Sequence, residues 1–255
     1  MKIDELTPVI WNEENKIWVK RDDMFEVCGV KGGKSRSAYQ VIQQLLQQEY
    51  KTMVTAGSRQ SPQCEIVSFI CEELGIPCKV FMPRGANTSV IDHIENNKHT
   101  EIIRVNCGYN NVIVARAREY ANDMNCGYVP FGMECAENVE VTSKQVQNIP
   151  EECKRLVIPV GSGMSFSSVV TGMSRYGIDK PILGVRVGKD PMKIIGEYAE
   201  GIDFVDYNIV QSPYDYHDAV ERYVGDYQLD PIYESKCYDF LEEGDCLWVV
   251  GRRLM

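Results

Sequence analysis

The chain has 255 residues, of which 44% are hydrophobic and 25% are charged, and its 37 acidic and 27 basic residues give a net charge of −10. This composition excludes a disordered chain, because enough apolar side chains are present to form a large core. The acidic balance, with no basic block, argues against nucleic acid or an acidic membrane as a partner, so a small substrate is expected.

The N-terminal residues lack the apolar core of a signal peptide, and no apolar run is long enough to span a bilayer, so a cytoplasmic protein without membrane contact is predicted. The ten cysteines contain no Cys-x-x-Cys pair, and the three histidines have no ligand spacing, so no metal site is predicted and reduced thiols are expected. Cys64 and Cys71 lie on the apolar side of a predicted helix, where core packing is favoured over chemistry.

Helices and strands alternate along the chain. The hydrophobic periodicity predicts helices over 36–48, 62–74, near 87–97 and near 110–123, with strands over 52–55, 78–82, 101–105, 156–160 and 182–187. This alternation predicts an α/β fold with a mostly parallel sheet. In such folds ligands bind outside the carboxyl ends of the strands, where the turns 55–61 and 161–165 fall.

The predicted strand 156–160 runs through a glycine turn into a helix of small residues. The turn consists of Gly161, Ser162 and Gly163, and it is followed by Met164 and Ser165. Glycines let consecutive N–H groups converge, and the positive end of the helix adds its field, so this segment predicts a phosphate site that needs no cation. It matches neither a nucleotide P-loop nor the three-glycine dinucleotide motif. An ordinary strand-to-helix turn is the alternative.

A second glycine-rich segment, 29–33, places Lys34 near the start of the first long helix. The electropositive helix start favours loss of the ammonium proton, which suits an amine that attacks a carbonyl to form a Schiff base. A solvated turn lysine is the alternative.

Several separated segments together resemble the fold-type II pyridoxal-phosphate enzymes, most of all 1-aminocyclopropane-1-carboxylate deaminase and D-cysteine desulfhydrase. The similar segments, in the family's order, are 20–23 with 32–36, 57–63, 129–132, 161–165 and 229–236. The resemblance implies a two-lobed α/β fold with mostly parallel sheets and helices on both faces. It also implies a larger cofactor-binding lobe of residues 1–40 and 132–255 and a smaller α/β lobe of residues 41–131.

The resemblance implies pyridoxal 5′-phosphate as the cofactor and gives roles to individual residues. It makes Lys34 the residue that holds the cofactor, with Ser61 and Tyr233 as further catalytic groups. It places Glu234 at the pyridine nitrogen, where a carboxylate keeps that nitrogen protonated and favours carbanionic routes. The implied phosphate ligands are Gly161, Ser162, Gly163, Met164 and Ser165, and the implied substrate-binding residues are Ser58, Gln60, Ser61, Gln63, Tyr214 and Tyr216.

The implied function is that of a deaminase or lyase that acts on a small amino acid and releases ammonia and a keto acid. One alternative is a decarboxylase, a β-replacement enzyme or a racemase. In one form of this alternative, the enzyme acts on an amino acid that is attached to a larger molecule. A non-catalytic relative that binds a metabolite or a partner is another. Family members are often dimers, so a homodimer is expected.

The chain departs from the family's pattern at three places. The asparagine before Lys34 is missing, and Pro62 replaces an asparagine that contacts the cofactor in the family. Arg252 and Arg253 stand where the family has His-Thr-Gly-Gly, so they are either ligands for a substrate carboxylate or phosphate or part of a solvated tail.

Overall fold

A computed structural model describes residues 2–106 and 108–251, so Arg252 and Arg253 lie outside the described residues. Within this range the chain forms two compact units, one of Glu26–Glu134 and one of Lys2–Phe25 with 135–251. In this division residues 26–40, including Lys34, go with the segment 41–131. The lobe boundaries that the resemblance implies stay a prediction.

The strands and helices of the described chain are numbered here in chain order. The strands are β1 (Val9–Asn12), β2 (Ile17–Arg21), β3 (Glu26–Val27), β4 (Val30–Lys31), β5 (Met53–Ala56), β6 (Cys78–Pro83), β7 (Thr100–Val105), β8 (Gly127–Tyr128), β9 (Arg155–Val160), β10 (Ile182–Arg186), β11 (Tyr207–Gln211), β12 (Tyr223–Val224), β13 (Tyr227–Gln228) and β14 (Asp245–Val249). The α-helices are α1 (Gly33–Gln47), α2 (Pro62–Glu73), α3 (Ser89–Glu95), α4 (Asn110–Asp123), α5 (Ala136–Ser143), α6 (Met164–Tyr176) and α7 (Met192–Tyr198). A 3₁₀ helix covers Glu234–Phe240.

The unit Glu26–Glu134 contains a parallel sheet in the order β7-β6-β5-β8. Its central strands β5 and β6 are mostly buried because helices supply apolar side chains against the sheet. One cluster joins Val54, Ala56 and Phe81 to Ile113 and Ala117 of α4. Cys64 and Cys71 are fully buried, which confirms that these two thiols pack in the core, and Cys78 of β6 is fully buried as well.

The second unit contains a sheet in the order β1-β2-β14-β9-β10-β11, in which β1 is antiparallel to β2 and the other pairs are parallel. Side chains of β9 alternate between two hydrophobic clusters. Leu156 and Ile158 join the cluster that includes Phe166 of α6, whereas Val157 joins the cluster that includes Cys237 of the 3₁₀ helix. Because both faces are covered, these strands read as continuous apolar runs.

Neither a membrane span nor a metal cluster is found where the chain is described. None of the described helices has the length and apolar character needed to cross a membrane. The described histidine, cysteine, aspartate and glutamate side chains form no group of three or more that is suited to a metal ion.

Candidate active site

The loop between β9 and α6 has the geometry of an anion site. Gly163 is the N-cap of α6 with a φ of +107°, and a Cβ there would lie 3.2 Å from the Pro191 carbonyl oxygen, so glycine is required. The Met164 N–H donates to Ser162 Oγ at 3.5 Å. The first amides of an α-helix have no intrahelical acceptor, so this helix start, in a loop that glycine shapes, is suited to a phosphate.

Glu234 is a buried carboxyl with one oxygen bound and one oxygen available. Its Oε1 accepts hydrogen bonds from the Val250 N–H at 2.8 Å and the Gly251 N–H at 3.4 Å. Its Oε2 is buried and has no hydrogen-bond partner among the described residues. Burial, with a contribution from the charge of Asp230, raises the pKa of Glu234 to about 8. The carboxyl therefore carries a proton at neutral pH, and its Oε2 is suited to meet a basic nitrogen.

Tyr233 lies between the glycine loop and a second tyrosine. The Asp230 carboxylate accepts from the Tyr233 N–H at 3.0 Å, which fixes the backbone before the 3₁₀ helix. A Cβ on Gly161 would lie 3.0 Å from the Tyr233 ring, so only glycine leaves room for that ring. The Tyr233 hydroxyl lies 3.2 Å from the Tyr216 hydroxyl, and the two rings pack edge to face. The phenol pair is therefore adjacent to the loop.

Tyr214 is oriented differently from Tyr216. Its hydroxyl donates to the Asp239 carboxylate at 2.8 Å. Tyr216 instead packs on the loop after β10, since a Cβ on Gly188 would lie 3.3 Å from its ring. The structure thus brings Tyr216 next to Tyr233 and places the Tyr214 hydroxyl at Asp239.

These residues meet at one edge of the six-stranded sheet. Gly161 follows β9, Gly188 follows β10 and Val250 follows β14, and these three strands are parallel neighbours in the sheet. Because the carboxyl ends of parallel strands lie at the same edge, the glycine loop, Tyr216 and Glu234 are gathered where α/β folds bind ligands.

In the unit Glu26–Glu134, Lys34 is the second residue of α1, and its side chain is exposed. The N-cap of this helix is Gly32 with a φ of +99°, a conformation that favours glycine. The Ser35 hydroxyl donates to the Gly32 carbonyl at 2.5 Å and tightens the helix start. Lys34 therefore lies in the positive field of a helix N-terminus, as the sequence predicts.

The turn 57–61 follows β5 in the same unit and leads into α2. A Cβ on Gly57 would lie 2.7 Å from Ser61 Oγ, so the turn can close only over glycine. Ser61 is the N-cap of α2, and Pro62 occupies its first turn, where a missing N–H costs no intrahelical bond. Ser58 and Gln60 are exposed, whereas Ser61 is half-buried.

Gln63 is buried, and its amide connects α2 to the segment after β8. Its Nε2 donates to the Pro130 carbonyl at 2.7 Å, and its Oε1 accepts from the Gly132 N–H at 2.7 Å. Nε2 also lies 3.2 Å from Thr55 Oγ1. The amide thus fixes the backbone of 130–132, and its predicted role in substrate binding stays a prediction.

A cluster of Arg21, Asp23 and Tyr227 was missed by sequence reasoning. The Arg21 guanidinium donates twice to the Asp23 carboxylate, at 2.9 and 2.8 Å, and stacks 3.9 Å above the Tyr227 ring centre. The Tyr227 hydroxyl donates to Asp23 Oδ2 at 3.0 Å. Burial raises the pKa of Tyr227, and the charge and hydrogen bond of Asp23 add to this effect. The motif at 20–23 gave no sign of this link, because its partner follows about 200 residues later.

Comparisons with known proteins agree with this description. The sequence model of the family described as "Pyridoxal-phosphate dependent enzyme" matches residues 5–208. The chain is 20% identical, over 201 residues, to the Schizosaccharomyces pombe protein named "Probable 1-aminocyclopropane-1-carboxylate deaminase", covering 70% of this chain and 59% of that protein. It is 22% identical, over 186 residues, to the "O-seryl-dTMP PLP-dependent decarboxylase" of Salmonella phage ViI, covering 63% of this chain and 44% of that protein. The chain thus spans about half the length of these relatives.

Solved structures show the same fold. The crystal structure of an ACC deaminase homologue superposes with a TM-score of 0.81 at 18% identity, covering 98% of this chain and 90% of that one. The processed form of threonine deaminase isoform 2 from Solanum lycopersicum gives a TM-score of 0.71 at 16% identity, covering 98% and 84%. The predicted α/β fold of mostly parallel sheets is thereby confirmed.

Proposed function

Because this chain belongs to the pyridoxal-phosphate dependent enzyme family, we propose that it is a deaminase or lyase that releases ammonia and a keto acid from a small amino acid. The cofactor of the family is pyridoxal phosphate. The observation that carries the proposal is the buried Glu234 carboxyl, whose Oε2 has no hydrogen-bond partner among the described residues. A protonated carboxyl at that position supplies the proton that a pyridine nitrogen needs to become a strong electron sink.

The residues of the second unit fit the two polar ends of the cofactor. The loop Gly161–Gly163 and the first amides of α6, including those of Met164 and Ser165, would hold the phosphate through N–H groups. Oε2 of Glu234 would share its proton with the ring nitrogen, because this oxygen is buried and its pKa is raised to about 8. Lys34, exposed at the positive start of α1, is assigned the covalent attachment of the cofactor.

The proposed reaction divides its steps among side chains of this chain. When bound, pyridoxal phosphate withdraws electrons from the carbon beside the substrate nitrogen, so that a bond to this carbon breaks with its electron pair stabilised. Lys34 is proposed to take up and return the proton at that carbon. Tyr233 and Ser61 are the proposed groups that move further protons, and the phenol of Tyr216 lies 3.2 Å from that of Tyr233 as its exchange partner. Ser58, Gln60, Gln63, Tyr214 and Tyr216 stay proposals for substrate contacts.

Decarboxylation of an amino acid attached to a larger molecule is the second candidate function. It is favoured by the similarity to the phage protein whose name describes an O-seryl-dTMP decarboxylase. The same electron sink serves this reaction, so the two candidates differ in which bond the bound substrate aligns for cleavage. Pro62 favours the non-catalytic alternative instead, because a proline offers neither a side-chain amide nor a backbone N–H to the cofactor.

A product analysis tests the proposal. The purified chain is loaded with pyridoxal phosphate, and the absorption spectrum monitors the uptake. The loaded chain is then incubated separately with 1-aminocyclopropane-1-carboxylate, with both enantiomers of serine, threonine and cysteine, and with O-seryl-dTMP. Ammonia and keto acid in equal amounts support the deaminase. Carbon dioxide with an amine product supports the second candidate and excludes the first. A chain that takes up no cofactor supports the non-catalytic alternative.

We also propose that the chain acts as a homodimer in the cytoplasm. Light scattering of the purified protein gives its mass in solution and separates a dimer from a monomer. The cytoplasmic location is tested by fractionation of the source cells.

A further inference from the structure

The segment 212–220, which carries Tyr214 and Tyr216, belongs to no strand or helix of the described chain. The structure connects this segment to the 3₁₀ helix Glu234–Phe240 and to the residue that caps it, Tyr233. A 3₁₀ helix has about three residues per turn, so residues 233, 236 and 239 project from one face. All three contact the segment, and we call Tyr233, Lys236 and Asp239 the docking face.

Each side chain of the docking face has its own partner. The Lys236 ammonium donates to the Asp215 carbonyl at 2.6 Å and to the Tyr216 carbonyl at 3.2 Å. Asp239 accepts from the Tyr214 hydroxyl at 2.8 Å, and Tyr233 meets the Tyr216 hydroxyl at 3.2 Å. The segment is thus held through its backbone at 215 and 216 and through its two phenols.

Lys236 is the central member of the docking face, and its buried environment is unfavourable for a charged ammonium. Its side chain is fully buried, and burial lowers the pKa of its ammonium, although Asp218, Tyr216, Asp215 and Asp230 act in the opposite direction. A buried ammonium is costly unless its protons are hydrogen-bonded. Two backbone carbonyls of an irregular segment meet that need and are thereby fixed in place.

We propose that Lys236 is a positioning residue that fixes the backbone of 215–216, so that the Tyr216 phenol stays against the Tyr233 phenol for proton transfer. This inference rests on the proposed function for its catalytic consequence, whereas the docking itself is a property of the protein without cofactor. Glu234 is excluded from the docking face, because it is adjacent to Tyr233 in sequence and its carboxyl binds Val250 and Gly251 instead.

The experiment places 3-fluorotyrosine at position 216 of the full chain without cofactor. Its ¹⁹F resonance is compared between two samples, one with Tyr233 and one with the Tyr233→Phe substitution. In the otherwise unchanged chain, loss of the Tyr233 hydroxyl shifts the resonance. In Lys236→Met the same pair of measurements shows no shift, because the segment no longer holds the phenols together. A shift that persists in Lys236→Met overturns the proposal, as does the absence of a shift in the otherwise unchanged chain.

Lys20→Met is the matched control. Lys20 is also fully buried in the same unit, and its ammonium donates to the Thr7 carbonyl at 2.8 Å and to Asn148 Oδ1 at 2.7 Å. The Lys20 variant keeps the shift if the effect is specific to the docking face, and loss of the shift in both variants contradicts a specific role. If Lys236→Met does not fold, Lys236→Gln replaces the ammonium by a shorter neutral donor and is expected to reduce the shift, because the two carbonyls lie at the reach of the lysine. An unreduced shift in Lys236→Gln overturns the proposal.

A kinetic measurement separates this inference from the proposed function. With an active enzyme, Lys236→Met lowers kcat by about 10²-fold with little change in cofactor affinity, as expected for a misplaced catalytic group. Tyr216→Phe then has little further effect in the Lys236→Met background. If no activity is found but the ¹⁹F shifts behave as stated, the proposed function fails and the docking face stands. Full additivity of the two substitutions overturns the inference that Lys236 acts through Tyr216.

Discussion

The two units present their candidate site residues in opposite ways. In the unit Glu26–Glu134, Lys34 is exposed at the start of α1, and the backbone conformation of Gly32 sets that helix start. Gly57 likewise lets the turn close against Ser61. In the other unit, Glu234 is buried and Tyr233 is held by contacts to its backbone and ring. An exposed amine can form and break a bond with an incoming carbonyl, whereas a buried carboxyl holds its proton because water is excluded. The difference in burial therefore separates a group suited to covalent chemistry, Lys34, from a group suited to electrostatic stabilisation, Glu234.

Replacement of Lys34 tests the reactive side of this comparison and has the largest expected effect. In Lys34→Ala, borohydride treatment with pyridoxal phosphate gives no adduct on α1, and activity falls by roughly 10²–10⁴-fold, as expected when a proton-transferring group is lost. Peptide mapping by mass spectrometry locates the adduct. The matched control is Lys31→Ala, because Lys31 is an exposed lysine at the end of β4, three residues before Lys34, and pairs with Glu26 at 3.3 Å. An adduct of normal yield in Lys34→Ala assigns the attachment to another lysine.

Replacement of Glu234 tests the electrostatic side and is expected to change the pH dependence of stability. The folded-state pKa of about 8 lies above the value of 4.5 for an exposed glutamate, so between these values the folded chain binds a proton that the unfolded chain has lost. Its free energy of unfolding therefore falls as the pH rises through this window, by up to roughly 1.4 kcal/mol per pH unit. In Glu234→Gln this loss is absent.

Urea unfolding of the cofactor-free chain and of Glu234→Gln, at intervals between pH 5 and pH 8, measures the difference. Glu243→Gln serves as the control for removal of an exposed carboxyl, since the Glu243 side chain is 65% exposed. It is expected to leave the slope unchanged. Parallel curves for Glu234→Gln and the unchanged chain would show that Glu234 is ionised in the cofactor-free fold, which contradicts a pKa raised to about 8.

The two ends of α6 give a comparison with a smaller effect. Gly163 caps the start of the helix with a φ of +107°, and Gly177 caps its end with a φ of +63°. Alanine at either position costs about 1–3 kcal/mol of folding stability, because the left-handed region is strained for it. Only Gly163→Ala is expected to weaken binding of pyridoxal phosphate, because a Cβ there presses on Pro191 and Ile195 and displaces the loop.

Absorption titration with the cofactor, compared with thermal unfolding of the same variants, checks this prediction. Gly177→Ala is the matched control, since a Cβ there has no neighbour within 4 Å. Equal losses of cofactor affinity in both variants would mean that helix stability, rather than the loop, governs binding.

The sequence predicted the elements of the fold well because local patterns encode them. The apolar run at 156–160 and the periodic helix at 110–123 agree with β9 and α4 to within a residue, because burial on both faces and 3.6-residue spacing leave direct traces. The sequence did not identify the 3₁₀ helix Glu234–Phe240, because periodicity over seven residues is too short to identify it. The antiparallel β1 was not predicted, and it pairs with β2 at the edge of the sheet.

The candidate site was predictable only where a short motif carries the chemistry. Glycine turns and a lysine at a helix start can be recognised from neighbours in the chain, which is why Gly161–Gly163 and Lys34 stand out. Tyr216 could not be chosen over Tyr214 from the sequence, because both flank the same aspartate and the choice depends on contacts with residues 233 and 239.

By itself, the sequence determined the α/β class, the resemblance to the family and the residues of the glycine loop, since these follow from periodicity, from backbone freedom at glycine and from short motifs. Only the tertiary structure decided that Glu234 is buried with a bound Oε1 and an available Oε2, that Lys236 holds the backbone of 215–216 and that Arg21 and Asp23 meet Tyr227. Burial and long-range hydrogen bonds depend on which segments the fold brings together, and no local pattern records that.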